Sequence, residues 1–289
     1  METTEKRNIT ESLLAYCERF GSQNKAANSM KGVSSATISQ ILNGNWDLIT
    51  DDMWRNIASQ IDFNRKKWAA VGTSLYKKVT AILDDARINS LVMPIIDDAG
   101  TGKTFALKRY AMENKRVYHL SCSEFWNKRA FLAELLASMG RNYAGGNILE
   151  MMNEAVRVLK KQDSPLLIID EADKLSDAVL YFFITLYNQL EDECGIVICA
   201  TGYFEKRMSR GLRLKKKGYE EIWSRLGRKC IYLGGVNAND IAAICEANGV
   251  TSAKDIDYVI SESEGDLRRV KRLTHAILKK RSLKAVEAN

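Results

Sequence analysis

The most constraining stretch of the chain runs Leu91-Val-Met-Pro-Ile-Ile-Asp-Asp-Ala-Gly-Thr-Gly-Lys-Thr104. An apolar run of strand length drops into a glycine-containing turn and then into a helical pattern from Phe105 to Met112. This is the strand, loop and helix setting that a phosphate-binding loop requires. Backbone N–H groups must converge on phosphate oxygens at a helix N-terminus, and Gly100 and Gly102 let the chain turn tightly enough to do so. Ala99, Gly100, Thr101 and Gly102 are thus expected to form the cradle of the nucleotide's phosphates. Lys103 supplies a point charge for the β- and γ-phosphates and Thr104 a hydroxyl for Mg²⁺. Asp97 stands where the pattern G-x-x-x-x-G-K-[ST] has its first glycine, and its carboxylate is expected to point away from the anion.

A second apolar run, Ser164-Pro-Leu-Leu-Ile-Ile-Asp-Glu-Ala-Asp173, reads as a buried strand ending in acids. Coupled to a phosphate loop, Asp170 is suited to hold Mg²⁺ and Glu171 to orient and deprotonate an attacking water. A third run, Gly195 to Gly202, ends in Thr201, which either faces the γ-phosphate or caps its own backbone. Arg116 to Leu120 reads as a short strand. Leu75 to Asn89, Phe125 to Met139, Leu149 to Lys160 and Ala178 to Leu190 have helical spacing. The pattern is that of an α/β core with a parallel sheet and helices on both faces.

The first seventy residues have no sign of such a sheet. Two short helices, Ser22 to Met30 and Ser35 to Asn43, flank a turn at Lys31-Gly-Val-Ser34, the pattern of a helix-turn-helix. Asp51 to Ile61 and the region of Trp68 are expected to complete this bundle, with a seam at Val71 to Ser74. Thr37, Ser39, Gln40 and Asn43 are placed to contact base edges or phosphates. The second helix has no Lys or Arg, however, and residues 1–70 hold nine basic against eight acidic residues. Docking of another protein is the competing reading of this bundle.

Charge is concentrated elsewhere. The net charge is +7, and Lys206, Arg207, Arg210, Arg213, Lys215, Lys216 and Lys217 form an acid-free run expected to be a loop between the fourth and fifth strands. The tail from Lys279 to Lys284 is basic but short. Hydrophobic content of 46% without a membrane-length apolar run, and a polar N-terminus, lead us to expect a cytoplasmic protein with no membrane partner. Six scattered cysteines without a C-x-x-C pair read as buried reduced thiols rather than as zinc ligands or disulfides.

Gly100 to Thr104, Leu166 to Asp173, Thr201, Ser224-Arg-Leu-Gly-Arg228 and Gly265-Asp-Leu-Arg268 stand in the order found in AAA+ ATPases, which the chain resembles from about Ser22 to Leu278. With a helix-turn-helix before the core, it is similar to the transposition target-selector ATPases of the phage Mu type. The resemblance implies an AAA+ P-loop core over residues 71–235, a helix-turn-helix domain over 1–70 and a helical lid over 236–289. It implies ATP and Mg²⁺ as cofactors and self-assembly into a ring or helical filament, with the nucleotide between subunits. Arg225 or Arg228 would then be an arginine finger acting on a neighbour's ATP, and Arg268 a sensor arginine from the lid. By resemblance, Lys128, Arg129, Arg213, Lys215, Lys216 and Lys217 lie where loops of related ATPases that assemble on DNA touch phosphates, and are implied as candidates for contacts on double-stranded DNA, which would be indifferent to sequence and weakened by salt. The implied function is an ATP-hydrolysing, largely sequence-nonspecific DNA-binding protein that recruits or activates a transposase. Two alternatives stay open: a replication-type initiator or loader ATPase, and a transcriptional regulator whose oligomeric state nucleotide controls.

Overall fold

The computed structural model of the chain describes residues 1–61, 63, 68–142 and 145–287, with the backbone alone over 284–287. Residues 62, 64–67, 143, 144, 288 and 289, which fall within the three expected domains, lie outside those described, as does the Lys284 side chain of the basic tail. Four helices come first: α1 (Thr3–Phe20), α2 (Gln23–Ser29), α3 (Ser35–Leu42) and α4 (Asp51–Gln60). The side chains of Ser22, Ser34 and Thr50 accept the N–H of Lys25, Thr37 and Met53 respectively, which fixes where α2, α3 and α4 begin. Ile9, Leu13, Ile38, Ile41, Trp54 and Ile57 are fully buried in a core of their own, and Ala26 in α2 keeps the helices close.

Trp68 does not complete this bundle. It packs with Val71 against the lid at the other end of the chain. The Asn248 side chain explains why, since its amide clamps the Ala69 backbone, accepting from Ala69 N at 2.9 Å and donating to Ala69 O at 3.1 Å. Asp240 takes both the N–H and the hydroxyl of Ser74 in the same way. The segment 68–74 is therefore a strap across the lid.

The central sheet is parallel, in the order β2-β3-β4-β1-β5. Its elements run α5 (Ser74–Ile88), β1 (Val92–Ile96), α6 (Lys103–Glu113), β2 (Val117–Ser121), α7 (Lys128–Ser138), α8 (Ile148–Lys160), β3 (Leu166–Asp170), α9 (Asp177–Leu180), α10 (Phe182–Leu190), β4 (Gly195–Ala200), α11 (Gly202–Arg213), α12 (Tyr219–Arg225) and β5 (Ile231–Tyr232). Every residue of β3 and β4 is buried, as a strand covered on both faces must be. Ile196, Ile198 and Ala200 face a cluster with α7 to α12, while Val197 and Cys199 face the cluster of α5 and α6. The lid follows as α13 (Ala238–Ala247), α14 (Ala253–Ser263) and α15 (Leu267–Glu287) around Ile241, Cys245, Val259 and Val270. The register pairs Ser121 with Asp170 and Ile96 with Ala200, so these strands end at one edge of the sheet. Among the described residues no helix is long and apolar enough to cross a membrane. All six cysteines are buried and unpaired.

Three further expectations are corrected. The helix from Phe125 begins only at Lys128, because the Asn127 side chain accepts the Ala130 N–H and caps it there. The helix from Ala178 to Leu190 is divided at Tyr181 into α9 and α10. The acid-free basic run is a loop only at its end: Lys206, Arg207, Arg210 and Arg213 lie on α11, and Lys215, Lys216 and Lys217 in the turn before α12. An acid from α9 also reaches it. Arg207 turns inward to donate to Leu175 O at 2.6 Å, to Asp177 and to Tyr219, and Lys216 approaches Asp177 at 3.5 Å. Burial disfavours the Asp177 charge, yet Tyr219, Arg207 and Lys216 outweigh it and hold the carboxyl below its usual range. Arg207→Met is expected to cost about 2 kcal/mol of stability by removing charge-assisted bonds. It should lower the urea midpoint while leaving the salt dependence of any DNA binding unchanged.

Candidate nucleotide-binding site

The loop after β1 closes on itself and on the lid. Gly100 (φ +87°) and Gly102 (φ +98°) are left-handed, and the latter starts α6. Between them Thr101 is buried, and its hydroxyl donates to Asp98 O at 3.1 Å, which ties the turn together and leaves the Thr101 backbone to the cradle. A Cβ at Gly100 would stand 2.4 Å from Asp266 Oδ1, and the Leu267 N–H donates to Gly100 O at 2.9 Å. The lid thus rests on the loop through the start of α15. Lys103 is buried, its ammonium donating to Asp97 O at 3.0 Å and to Asp98 O.

Asp97 has no left-handed φ, so its position does not demand glycine. Its side chain is absent from the cavity wall, but it is buried, and Oδ2 has no hydrogen-bond partner among the described residues. An unsatisfied buried acceptor costs about 1–3 kcal/mol. Asp97→Ala is accordingly expected to raise the melting temperature by roughly 2–4 °C in a thermal scan.

At the adjacent strand end, Asp170 is 2% exposed. Its Oδ1 accepts the Glu171 N–H at 2.9 Å, and its Oδ2 lies 3.4 Å from His119 Nε2. Burial works against the charge, but hydrogen bonds from His119, Thr104 and the Glu171 backbone prevail and hold Asp170 below the usual carboxylate range. An ionised carboxylate facing the same cavity as the Thr104 hydroxyl gives a hard-oxygen pair, which fits Mg²⁺ carried on a nucleotide's phosphates.

Glu171 takes a left-handed backbone (φ +56°), uncommon for a residue with a Cβ. Its carboxylate is tethered at both oxygens, by Ser121 Oγ at 3.2 Å and Lys174 Nζ at 2.9 Å. Thr201 does two things at once: it caps α11 by accepting the Tyr203 N–H, and its hydroxyl donates to Asp173 at 3.0 Å.

Ala99, Gly100, Thr101, Gly102, Lys103 and Thr104 line a single cavity of about 400 Å³ together with Asp170, Glu171, Thr201 and Arg268. Sequence reasoning missed its other wall, the strap residues Trp68, Ala69, Ala70 and Val71 with Tyr76, Ile244 and Lys271. Lys271 Nζ lies 5.5 Å from the Trp68 ring centre. The signal was present as an apolar Trp68-Ala-Ala-Val71 run between a basic cluster and the Thr73 cap of α5. This wall is apolar where the loop wall is polar, which suits a flat heteroaromatic base joined to a polyphosphate.

The remaining expected residues lie elsewhere. Arg225 is near the starts of β1 and β4, at the opposite end of the sheet, where it donates twice to Asn188 Oδ1 and lies 5.5 Å from the Tyr187 ring centre. Arg228 is exposed with φ +55°, and its side chain makes no hydrogen bond or ion pair among the described residues. Lys128 Nζ sits 5.1 Å from the Phe182 ring centre, and Arg129 donates to Gly146 O at 2.7 Å. Arg213, Lys215 and Lys217 are exposed. Thr37 and Gln40 are half-buried on α3, Thr37 bonded to Ser34.

Residues 86–208 match a family model described as an AAA domain. No curated protein matches the sequence. Among solved structures the chain is similar to Cdc6p from Pyrobaculum aerophilum, with 19% identity and a TM-score of 0.44 over 60% of this chain and 47% of that one. The match thus spans about half the length of that protein. The loop, the acidic strand end and the five-stranded parallel sheet together have the AAA+ P-loop ATPase fold.

Proposed function

We propose that the chain binds and hydrolyses ATP, assembles with copies of itself on duplex DNA in the ATP-bound state, and there recruits a transposase. The observation that carries the ATPase reading is the convergence of Lys103, Thr104, Asp170, Glu171, Thr201 and Arg268 on one cavity. Bound Mg²⁺ would supply charge neutralisation of the outer phosphates, held by Thr104 and Asp170. Lys103 would leave the Asp97 and Asp98 carbonyls for phosphate oxygens. Glu171 would turn from Ser121 and Lys174 toward the attacking water and take its proton. Arg268 and an arginine of a neighbouring copy would meet charge developing on the transferred phosphoryl group. Such contacts exist only before hydrolysis, so ATP acts as the assembly switch.

The DNA reading rests on exposed Arg213, Lys215, Lys217, Lys128 and Arg129 and on α2 and α3 as a helix-turn-helix. The transposase as client rests on the resemblance in motif order after such a domain. The deciding experiment measures binding to random-sequence duplex with ATP, with ADP and without nucleotide, for the parent chain and Lys103→Ala, over a salt series. ATP-dependent, cooperative, salt-sensitive binding that Lys103→Ala abolishes is expected. Binding indifferent to nucleotide, or confined to one sequence, would overturn the reading. Co-precipitation of a transposase only with the ATP-bound, DNA-bound form tests the client.

A further inference from the structure

The helical bundle does not stand apart from the ATPase core. Asn28 Nδ2 donates to Gly140 O at 3.3 Å, Lys31 pairs with Glu134 at 2.8 Å, and a Cβ on Gly140 would meet Lys25 O at 2.7 Å. Between the two bodies runs a cleft of about 290 Å³. Its walls carry five cations, Arg19 and Lys25 from the bundle and Lys115, Arg116 and Arg141 from the core, against one acid, Glu18.

These cations are unequally occupied. Arg116 pairs with Asp163 at 3.1 Å, and Arg141 approaches Glu154 at 3.9 Å. Lys25 and Lys115 form no ion pair among the described residues. Arg19 is the most constrained. Its guanidinium is stacked 4.7 Å from the Tyr16 ring centre and 4.8 Å from that of Phe20, and it donates to Ala111 O at 3.3 Å, with no carboxylate partner among the described residues. Burial disfavours its charge and draws its pKa down. A planar cation held in place with donors to spare is pre-organised for an anion.

Position selects the anion. In a helix-turn-helix the second helix enters the major groove while the first crosses the backbone. Here the first helix is α2, which carries Lys25 into the cleft, and the second is α3, which carries no cation. The first seventy residues are almost neutral overall, so Arg19 and Lys25 leave such a motif short of cationic phosphate contacts, and the three core cations adjoin them in the cleft. We propose that this cleft binds the phosphodiester backbone of the duplex that α3 engages, the ATPase core supplying the charge its helical domain lacks. The proposal rests on the DNA-binding reading above.

The test compares the full-length parent with Lys25→Gln, Lys115→Gln and Arg141→Gln, singly and combined, in ATP-dependent binding to random-sequence duplex over a salt series. Each lost phosphate contact lowers the slope of log K against log salt by about 0.9, or about eightfold in affinity at 0.1 M salt. The combined variant is expected to lose about two to three such steps, with fluorescent-ATP binding and melting temperature unchanged, and Lys25→Arg with Lys115→Arg should keep the parent's slope. Parent-like slopes in the Gln variants, with duplex binding intact, overturn the cleft site while the DNA reading stands. Slopes that fall only on changing Arg213, Lys215 and Lys217 do the same. Inorganic pyrophosphate protecting the cleft from lysine modification while duplex does not would make it a small-anion site and overturn the proposal. A parent chain that binds no duplex at all overturns the DNA reading itself.

Discussion

Glu171→Gln should bind ATP as the parent does and hydrolyse it about a hundred- to ten-thousandfold more slowly, the usual worth of a general base. The substitution keeps the side chain's size and its hydrogen bond to Ser121 while removing the acceptor of the water's proton. It also removes the Lys174 ion pair, which is about half exposed and so contributes little to stability. Single-turnover hydrolysis and fluorescent-nucleotide titration separate the two effects. A rate within tenfold of the parent would remove Glu171 from the role. Locked in the ATP state, the variant should stay assembled on DNA when the parent has dissociated.

Arg228→Ala should lose a thousandfold or more in steady-state hydrolysis, as removal of an arginine finger does, with ATP binding preserved. Arg228 is preferred to Arg225 because Arg225 is engaged within its own subunit by Asn188, Glu221 O and Tyr187. Arg225→Ala is expected to act on stability instead, visible as a lowered melting temperature. Mixing provides the sharper measurement. An Arg228→Ala subunit has an intact pocket and a Glu171→Gln subunit an intact finger, so a mixture of the two inactive variants should recover activity. No recovery, with oligomers formed, would mean the arginine acts within its own chain.

The phosphate loop, the acidic strand end and Thr201 were legible in the sequence because each is a local pattern. An apolar run of strand length leads into residues whose chemistry fixes their place at the sheet edge. What was not legible depends on contacts between distant segments. The basic run from Lys206 to Lys217 contains no acid in sequence, yet Asp177 on α9 neutralises part of it. Trp68 follows the bundle in the chain, but Asn248 and the lid hold its neighbour and give the cavity its apolar wall. Ser121, which tethers Glu171, lies at the end of a strand whose spacing with β3 only the sheet register reveals. Asp97 broke the expected motif without breaking the fold, since its backbone stays outside the left-handed region that would require glycine.

Lys103, held by two carbonyls of its own loop, would make the proposed nucleotide binding an exchange reaction. The loop offers no stranded cation awaiting rescue, so affinity reflects how much better an acceptor the incoming ligand is than Asp97 O and Asp98 O. A neutral carbonyl is readily outbid by a doubly or triply charged polyphosphate tail. Adenosine, which carries no phosphate, is expected to leave Lys103 in place, and AMP to compete less well than ADP or ATP in a nucleotide titration. On the proposed ATPase reading, selection by phosphate count would then begin in the resting conformation of the loop itself.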